Sequence, residues 1–387
     1  MKIRSLTFHV LHVSAKTNWS FVHVQMDSGV VGWGECSLNG WEALQREFCG
    51  RFAAELTGQK ISSISDVSAA CLLRLHSPGG LVEHSVKSAT EQALIDVLAK
   101  RDGVPVWQLF GNAKRSSVEV YANINRATQA RTPDAFAASA ISAVAAGFRA
   151  VKLAPFDGVL PTNAEAAHGS RMIEAALARI RVLREAIGLD VKVMVDCHWR
   201  LTPKTARYVL DALREIKLHW LECPISEQPQ WHSEIRTIRD YANAQRVLLA
   251  GAEMQADVEG FRPFINRGLY DTIMPDVKYC GGIGALLRIG ALAAQHNVQT
   301  APHNPTGPVC NFASLHACIA GTGCDFLELQ VGESELFTSA VHGAAPVFEN
   351  GCFRAPTEVG IGTTLNHQVL NKHPYAPVSG GLDPSLG

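Results

Sequence analysis

The pattern of apolar and polar residues changes along the chain. Residues 1–118 open with segments that alternate between the two kinds, SLTFHVLHV, WSFVHVQM and VVGWGEC, as half-buried strands do. A helical pattern follows in SATEQALIDVLAKRDGVPVWQLFG. We expect Ser88 to cap this helix in a capping box with Glu91, and Gly103 with Pro105 to end it. Strands followed by helices predict an α+β unit.

From about residue 118, short apolar segments alternate with helical ones, which is the pattern of repeated βα units. Eight strands are predicted, in VEVYANI, RAVKLA, VKVMVD, LHWLEC, VLLAGAE, DTIMPD, VQTAPH and DFLELQ. This favours an α/β fold with a closed (β/α) barrel of the TIM type, of about 250 residues. The alternative is an open doubly wound sheet, which the lack of a GxGxxG sequence after the first strand disfavours. We predict an N-terminal α+β unit at 1–118, a barrel at 119–345 and a C-terminal segment at 346–387 that returns to the first unit.

The composition excludes several classes of protein. Of the 387 residues, 47% are hydrophobic, and 35 basic residues nearly balance 36 acidic ones, so a nucleic-acid-binding surface is not expected. No apolar stretch approaches the ~18 residues that a membrane span needs, and the N-terminus has no signal-peptide pattern. The ten cysteines include no CxxC pair, which favours free thiols in a reducing cytoplasm. We expect a cytoplasmic homo-oligomer.

Polar residues stand at the ends of the predicted barrel strands. They are Lys152, Asp196 with His198, Glu222, Glu253, Asp276, His303 and Glu328. From Asp196 onward the steps are 26, 31, 23, 27 and 25 residues, one βα unit each time. The carboxyl ends of barrel strands converge on the active site. A single carboxylate could simply cap the next helix, but the regular series predicts a common site.

Three of these carboxylates, on consecutive strands, indicate a metal. Asp196, Glu222 and Glu253 would repel one another unless a cation lay among them. A set of oxygen ligands suits Mg²⁺ better than zinc. Because strand side chains alternate between faces, Asp196 and His198 are expected on one face and Cys197 on the other.

The motifs together resemble a known family over nearly the whole chain. VGWGEC, the helical stretch after it, AVKLA, VMVD, LECPI, AGAE, MPDVKYCGGIG, TAPHNPTGPV and FLEL are similar to those of the mandelate racemase group of the enolase superfamily. Sites of that superfamily use a Lys or His base with Mg²⁺. The resemblance implies a capping domain over a barrel, with Asp196, Glu222 and Glu253 as metal ligands. It also implies a His303–Asp276 dyad, and Glu328 as the acid that bonds the substrate carboxylate.

The second barrel strand departs from the racemase pattern. Racemase-like sites carry Lys-x-Lys there, whereas this chain has Lys152, Leu153 and Ala154, which argues against two-base racemisation. Lys152 would act electrostatically on the substrate carboxylate, or be paired with a neighbouring carboxylate. The Asp-x-His sequence at Asp196 and the PHNPTGP sequence are similar to those of acid-sugar dehydratases of the galactonate and mannonate type. There His198 would be the general acid. The alternative is that His198 only fixes Asp196.

Substrate choice is expected to depend on the lid, through Lys16, Asn18 and Trp19 of the first loop and a second loop near WEALQREFCGRF. Lys278 is expected to reach the rim of the site, and GGIG at 281–284 to form a tight turn that opens a helix, not a phosphate loop.

The favoured function is a Mg²⁺-dependent dehydratase of a sugar acid that gives a 2-keto-3-deoxy acid. One alternative is a racemase or epimerase that uses His303 with Lys152 or His198 as its second base. Another is a non-catalytic protein that binds acids.

Overall fold

A computed structural model of the chain describes residues 1–72, 80–343 and 345–379. Residues 380–387, the end of the predicted C-terminal segment, lie outside the described residues, as do 73–79 and 344 of the two predicted units before it.

The N-terminal part is an antiparallel sheet packed on a long helix. Its elements are β1 (Ile3–Ser14), β2 (Thr17–Met26), β3 (Val31–Glu35), α1 (Glu42–Leu56), α2 (Ile64–Leu72) and α3 (Leu81–Asp102). The strand order is β1-β2-β3. Gly32 and Gly34 of β3 allow the close contact with α3, because a Cβ on either would lie about 2 Å from a carbonyl oxygen of Ala93 or Ala89.

The next part is the barrel, whose eight parallel strands follow one another in chain order. They are β4 (Ser117–Asn123), β5 (Ala150–Leu153), β6 (Lys192–Asp196), β7 (Trp220–Glu222), β8 (Leu248–Gly251), β9 (Thr272–Ile273), β10 (Gln299–Thr300) and β11 (Phe326–Gln330). The helices between them are α4 (Pro133–Ala145), α5 (Ala167–Ile187), α6 (Pro203–Ala212), α7 (His232–Asn243), α8 (Asp257–Asn266), α9 (Ile283–Gln295) and α10 (Pro308–Ala320). Strand β11 pairs with β4, and a bridge between Thr300 and Cys324 closes the ring. The predicted (β/α) barrel is confirmed.

The chain after the barrel runs back over both parts. Its elements are α11 (Leu336–Ser339), β12 (Val341–His342), β13 (Phe348–Glu349), β14 (Cys352–Arg354), β15 (Thr364–Leu365) and α12 (His367–Lys372). Strand β14 pairs with β4 of the barrel, while Val106 and His12 of the N-terminal part donate backbone hydrogen bonds to Gly360 and His373. The tail therefore contacts the N-terminal part, and the domain limits at 118 and 345 stay predictions.

The capping box predicted at Ser88 is wrong, because α3 begins earlier, at Leu81. The Ser88 hydroxyl accepts a hydrogen bond from the backbone N–H of Gly281 (3.0 Å), and the Glu91 carboxylate accepts two from the first turn of α9 (2.9 and 2.8 Å). Both side chains thus cap a helix of the barrel. The expected end of α3 is confirmed, since Gly103 is left-handed there with φ 67°.

The GGIG sequence forms the tight turn that opens α9, as expected, with φ values of 105° and 90° at Gly281 and Gly282. The Glu91 carboxylate lies against this turn, since a Cβ on Gly282 would meet its oxygen at 2.1 Å. The WEALQREFCGRF stretch is mostly helix α1, so the second loop near it is the preceding segment, residues 36–41.

Side chains fill the barrel interior in layers. One buried layer contains Tyr121, Ala150, Met194, Trp220, Ala250, Met274 and Ala301. Two residues further along six of these seven strand segments stand Asn123, Lys152, Asp196, Glu222, Asp276 and His303. Because residues two apart on a strand point to the same face, these polar side chains also point into the barrel and form the next layer above the apolar one. The polar layer is the floor of the candidate site.

All ten cysteines are free, and nine of them are buried, in line with the expectation of free thiols. No helix within the described part of the chain has the length and apolarity that crossing a bilayer requires.

Candidate active site

The structure brings the predicted strand-end residues to the carboxyl end of the barrel. Lys152, Asp196, Glu222 and Glu328 lie at or near the ends of β5, β6, β7 and β11. Glu253, Asp276 and His303 follow β8, β9 and β10 within three residues. Of these seven residues, only His303 is more than slightly exposed, at 12% of its side chain.

Three carboxylates form a buried cluster. Oxygen atoms of Asp196, Glu222 and Glu253 all lie within 4.8 Å of one another. Burial, together with the negative charges of the neighbouring carboxylates, raises the pKa of Glu222 to about 7 and that of Glu253 well above its usual value. A buried set of oxygen donors that repel one another fits a hard divalent cation such as Mg²⁺.

Lys152 lies on one side of this cluster with its charge fully paired. Its Nζ is 2.7 Å from Glu222 Oε1 and 2.8 Å from Glu328 Oε1, and the side chain is 1% exposed. Burial alone would lower the pKa of Lys152, but the two carboxylates outweigh it and raise that pKa well above its usual value. Glu328 also accepts hydrogen bonds from Asn123 Nδ2 (2.7 Å) and the backbone N–H of Asn304 (3.0 Å).

His303 and Asp276 make the contact expected of a dyad. Asp276 Oδ2 lies 2.8 Å from His303 Nδ1 and 3.1 Å from Lys278 Nζ. Burial would raise the pKa of Asp276, but the charge of Lys278 and the bond to His303 lower it. His303 Nε2 is left facing the carboxylate cluster, 3.7 Å from Glu253 Oε2. Lys278 is buried and paired with Asp276, and it borders a cavity of about 370 Å³ together with His303.

His198 reaches Asp196 by a different route from the one expected. Strand β6 ends at Asp196, and His198 and Trp199 are left-handed, with φ values of 45° and 55°, so the argument from strand alternation is wrong for His198. The turn brings His198 Nε2 to 2.7 Å from Asp196 Oδ2, and its backbone N–H donates to Asp196 Oδ1 (2.9 Å). The imidazole is 42% exposed and borders both cavities of the site. Cys197 is buried in the apolar core, away from the site.

The three predicted lid residues have different surroundings. Lys16 is exposed in the turn between β1 and β2 and borders the larger cavity, of about 780 Å³. Asn18 and Trp19 are buried and border the smaller one. The Asn18 amide already bonds Glu42, the carbonyl of Ala376 and the His12 ring. Trp19 Nε1, in contrast, is buried and has no hydrogen-bond partner among the described residues.

Several residues of the site were not predicted. Asn123 ends β4 and bonds Glu328, so the strand-end rule that selects Lys152 could have found it. The others are polar residues of loops, whose position follows no period in the sequence. They are Arg126, Arg131, Arg200, Asn304 and Glu333.

Comparisons with known proteins cover both parts of the chain. Residues 135–369 match the family model described as enolase C-terminal domain-like, and residues 4–111 match that of the mandelate racemase / muconate lactonizing enzyme N-terminal domain. A D-galactonate dehydratase of Ralstonia pickettii is 27% identical over 394 residues, which cover 97% of this chain and 96% of that protein. A D-mannonate dehydratase of Caulobacter vibrioides is 28% identical over 381 residues, 92% of each.

Solved structures show the same fold. The crystal structure of a mandelate racemase/muconate lactonizing enzyme from Jannaschia sp. CCS1 superimposes with a TM-score of 0.86 at 24% identity. The match covers 99% of this chain and 100% of that one.

Proposed function

Because the chain belongs to the mandelate racemase/muconate lactonizing enzyme family of the enolase superfamily, we propose that it is a Mg²⁺-dependent dehydratase. Its substrate is a 2,3-dihydroxy sugar acid and its product a 2-keto-3-deoxy acid. One observation carries this proposal: two histidines lie against one carboxylate cluster, His303 beside Glu253 (3.7 Å) and His198 beside Asp196 (2.7 Å). Dehydration needs a base for the proton on carbon 2 and an acid for the oxygen that leaves carbon 3.

Asp196, Glu222 and Glu253 would hold the cation. When bound, Mg²⁺ supplies positive charge that stabilises the negative charge developing on the substrate carboxylate as the α-proton leaves. The mutual proximity of the three carboxylates and the raised pKa values of Glu222 and Glu253 support this assignment.

His303 is the base. Its Nδ1 is held by Asp276 at 2.8 Å, which fixes the ring and its tautomer and leaves the Nε2 lone pair available. The cation of Lys278 beside Asp276 keeps that carboxylate ionised. His303 Nε2 would take the proton from carbon 2 of a substrate in the adjoining cavity.

His198 is the general acid. Hydroxide is a poor leaving group, and a positioned acid contributes typically ~10²–10⁴ in rate. The Asp196 carboxylate beside the ring favours the imidazolium form that can donate a proton. The exposed part of the ring borders the cavity, where it would meet the 3-hydroxyl.

Glu222 and Glu328 would hold Lys152 in place, and the Nζ of Lys152 would lie beside the substrate carboxylate. Among the described residues, the Glu328 carboxylate accepts hydrogen bonds from Lys152, Asn123 and Asn304. The direct hydrogen bond to the substrate that the resemblance implies would therefore require the Glu328 carboxyl to take up a proton when the substrate binds.

The racemase or epimerase alternative needs a second base on the opposite face of carbon 2. Lys152 does not suit that role, since its Nζ donates to two carboxylates and is buried. Ala154 stands where the second lysine of a racemase-like site would be. Only His198 is left as a second base, and its contact with Asp196 is the observation that keeps this alternative open.

A screen of sugar acids with Mg²⁺ tests the proposal. We expect at least one 2,3-dihydroxy acid to give a 2-keto-3-deoxy acid, detected by a 2-keto acid assay. The His303→Asn variant should lose this activity. The same substitution at His296, which is exposed at the end of α9, serves as the matched control. Formation of only the 2-epimer, without keto acid, would favour the epimerase, and no reaction with any acid would overturn the dehydratase.

A further inference from the structure

The larger cavity of the site contains more positive than negative charge. It begins at Asp196 and His198 and extends between the N-terminal part and the barrel, with a volume of about 780 Å³. Apart from these two residues, it is bordered by four cations and two carboxylates. They are Lys16, Arg126, Arg131, Arg200, Asp157 and Glu333.

The two carboxylates are already paired within the protein. Glu333 bonds Arg126 Nη1 at 2.6 Å and also accepts a hydrogen bond from the Thr17 hydroxyl. Asp157 Oδ2 is shared between Arg131 Nε and Arg179 Nη1, each at 2.9 Å. One carboxylate thus serves two guanidinium groups, so neither carboxylate is available to the remaining cations.

Lys16 and Arg200 are those remaining cations. Within residues 1–72, 80–343 and 345–379, neither has an ion-pair partner, and the side chain of Arg200 donates only to the carbonyl of Val159, at 3.2 Å. They come from different walls, Lys16 from the turn between β1 and β2 and Arg200 from the segment after β6, two residues beyond His198. Cations without counter-charges that border one cavity favour an anionic ligand there.

We propose that Lys16 and Arg200 bind a second anionic group at the distal end of the substrate. The substrate class is then a sugar acid with a negative charge at both ends, either a diacid or a phosphorylated sugar acid. This inference rests on the proposed function in taking carbon 1 of a sugar acid to lie at the carboxylate cluster. The distal charge would lie in the larger cavity, beyond His198.

Binding measured without turnover tests this directly. The His303→Asn protein, loaded with Mg²⁺, is titrated by calorimetry with configuration-matched ligands, namely aldonates, the corresponding aldarates and 6-phosphoaldonates of the galacto, gluco and manno series. In at least one series we expect a doubly anionic ligand to bind about tenfold or more tightly than the aldonate, since a charge-assisted hydrogen bond contributes that much. Increasing salt should reduce the preference. A preference for the aldarate would identify the distal group as a carboxylate, and a preference for the phosphoaldonate would identify it as a phosphate. Either result supports the proposal.

Substitutions identify the residues responsible. Lys16→Gln and Arg200→Gln, each in the His303→Asn background, should lower the preference for the doubly anionic ligand by about tenfold. The matched controls are Lys204→Gln and Arg214→Gln, whose side chains are exposed on α6 and the short helical segment after it, and they should keep the preference. Lys16 is in an exposed turn, so its variant remains informative if the Arg200 variant is unstable.

Two results would overturn the inference. One is equal affinity for aldonate and doubly anionic ligands in every series, and the other is a preference that survives both substitutions. Failure of the proposed function looks different, because the ligand preference would be present while the unsubstituted protein forms no keto acid from any sugar acid. Keto acid formation from a neutral-ended aldonate, without any preference for a second charge, would retain the function and reject this inference.

Discussion

Buried carboxylates occur in both main parts of the molecule, but their partners differ. In the N-terminal part, Glu35 accepts hydrogen bonds from backbone N–H groups at the start of α10, and Glu91 accepts them from the start of α9. In the barrel, Asp196, Glu222 and Glu253 have one another as neighbours, within 4.8 Å. Burial is common to the two sets, so burial alone does not identify a functional carboxylate.

The difference lies in how the negative charge is compensated. A helix N-terminus offers fixed N–H dipoles, so the oxygens of Glu35 and Glu91 have hydrogen-bond donors inside the protein and join the N-terminal part to the barrel. The barrel cluster is compensated only in part, by Lys152 beside Glu222 and by His198 beside Asp196, so three neighbouring carboxylates favour a cation from outside. Equivalent substitutions in the two sets should therefore have different consequences.

The largest effect is expected from loss of the cation. Chelation, or Glu222→Gln, should lower the rate of keto acid formation by at least about 10³-fold, because a bound cation supplies several kcal/mol of transition-state stabilisation. Activity assays beside a calorimetric Mg²⁺ titration check this. Glu91→Gln is the matched control and should bind Mg²⁺ as the parent does. Full activity in excess chelator, with metal removal verified by elemental analysis, would refute the assignment.

A somewhat smaller effect is expected from the dyad. His303→Asn should slow turnover by about 10²–10⁴-fold while Mg²⁺ binding and the fold are kept. Asp276→Asn should do nearly as much harm, since an amide can hold the ring in the wrong tautomer. Steady-state kinetics with circular dichroism make the comparison, and near-parent turnover by His303→Asn would show that another group is the base.

Glu91→Gln should affect stability and leave the chemistry unchanged. The Gln side chain can accept one of the two backbone hydrogen bonds at the start of α9, but its NH₂ group faces the other N–H. Leaving one buried donor unpaired costs about 1–3 kcal/mol in the free energy of unfolding. Urea denaturation measures the loss. A stability equal to the parent's would mean that this contact does not hold the two parts together.

The smallest expected effect concerns pH. Burial outweighs the backbone hydrogen bonds and raises the pKa of Glu91 from 4.5 to about 7. The folded state therefore binds this proton more tightly than the unfolded state. The stabilising contribution of Glu91 to the free energy of unfolding is fully present below about pH 4.5 and is lost as the pH rises through about 7. The advantage of the parent over Glu91→Gln in the free energy of unfolding should shrink between about pH 5 and 8. An advantage that grows with pH would contradict this ionisation.

The barrel could be predicted because its sequence repeats. Each strand is a short apolar segment, and a polar residue recurs once per βα unit, so the strands and their site residues follow from periodicity even where β9 and β10 have only two residues each. The capping box at Ser88 shows the limit of such reasoning. Ser88 and Glu91 do cap a helix, but that helix is about 190 residues away in the chain, and no local pattern records this contact.

Backbone turns and loops set the other limit. His198 meets Asp196 through two left-handed residues that an alternating strand pattern does not foresee. Lys16 and Arg200 border one cavity only because the N-terminal part packs over the barrel. Positions of this kind depend on tertiary packing, so the strand-end residues of the candidate site could be predicted from the sequence while the loop residues that border its larger cavity could not.

The most direct test of the proposed dehydration follows hydrogen at carbon 2. The parent, His303→Asn and His198→Asn are each incubated in deuterium oxide with the substrate and Mg²⁺, and recovered substrate and product are analysed by NMR. We predict that His198→Asn exchanges the 2-proton while its keto acid formation falls by about 10²–10⁴-fold. His303→Asn should neither exchange the 2-proton nor form keto acid. Loss of exchange, product and Mg²⁺ affinity together in His198→Asn would assign His198 to fixing Asp196. Parent-like keto acid formation by His198→Asn would contradict its role as the general acid.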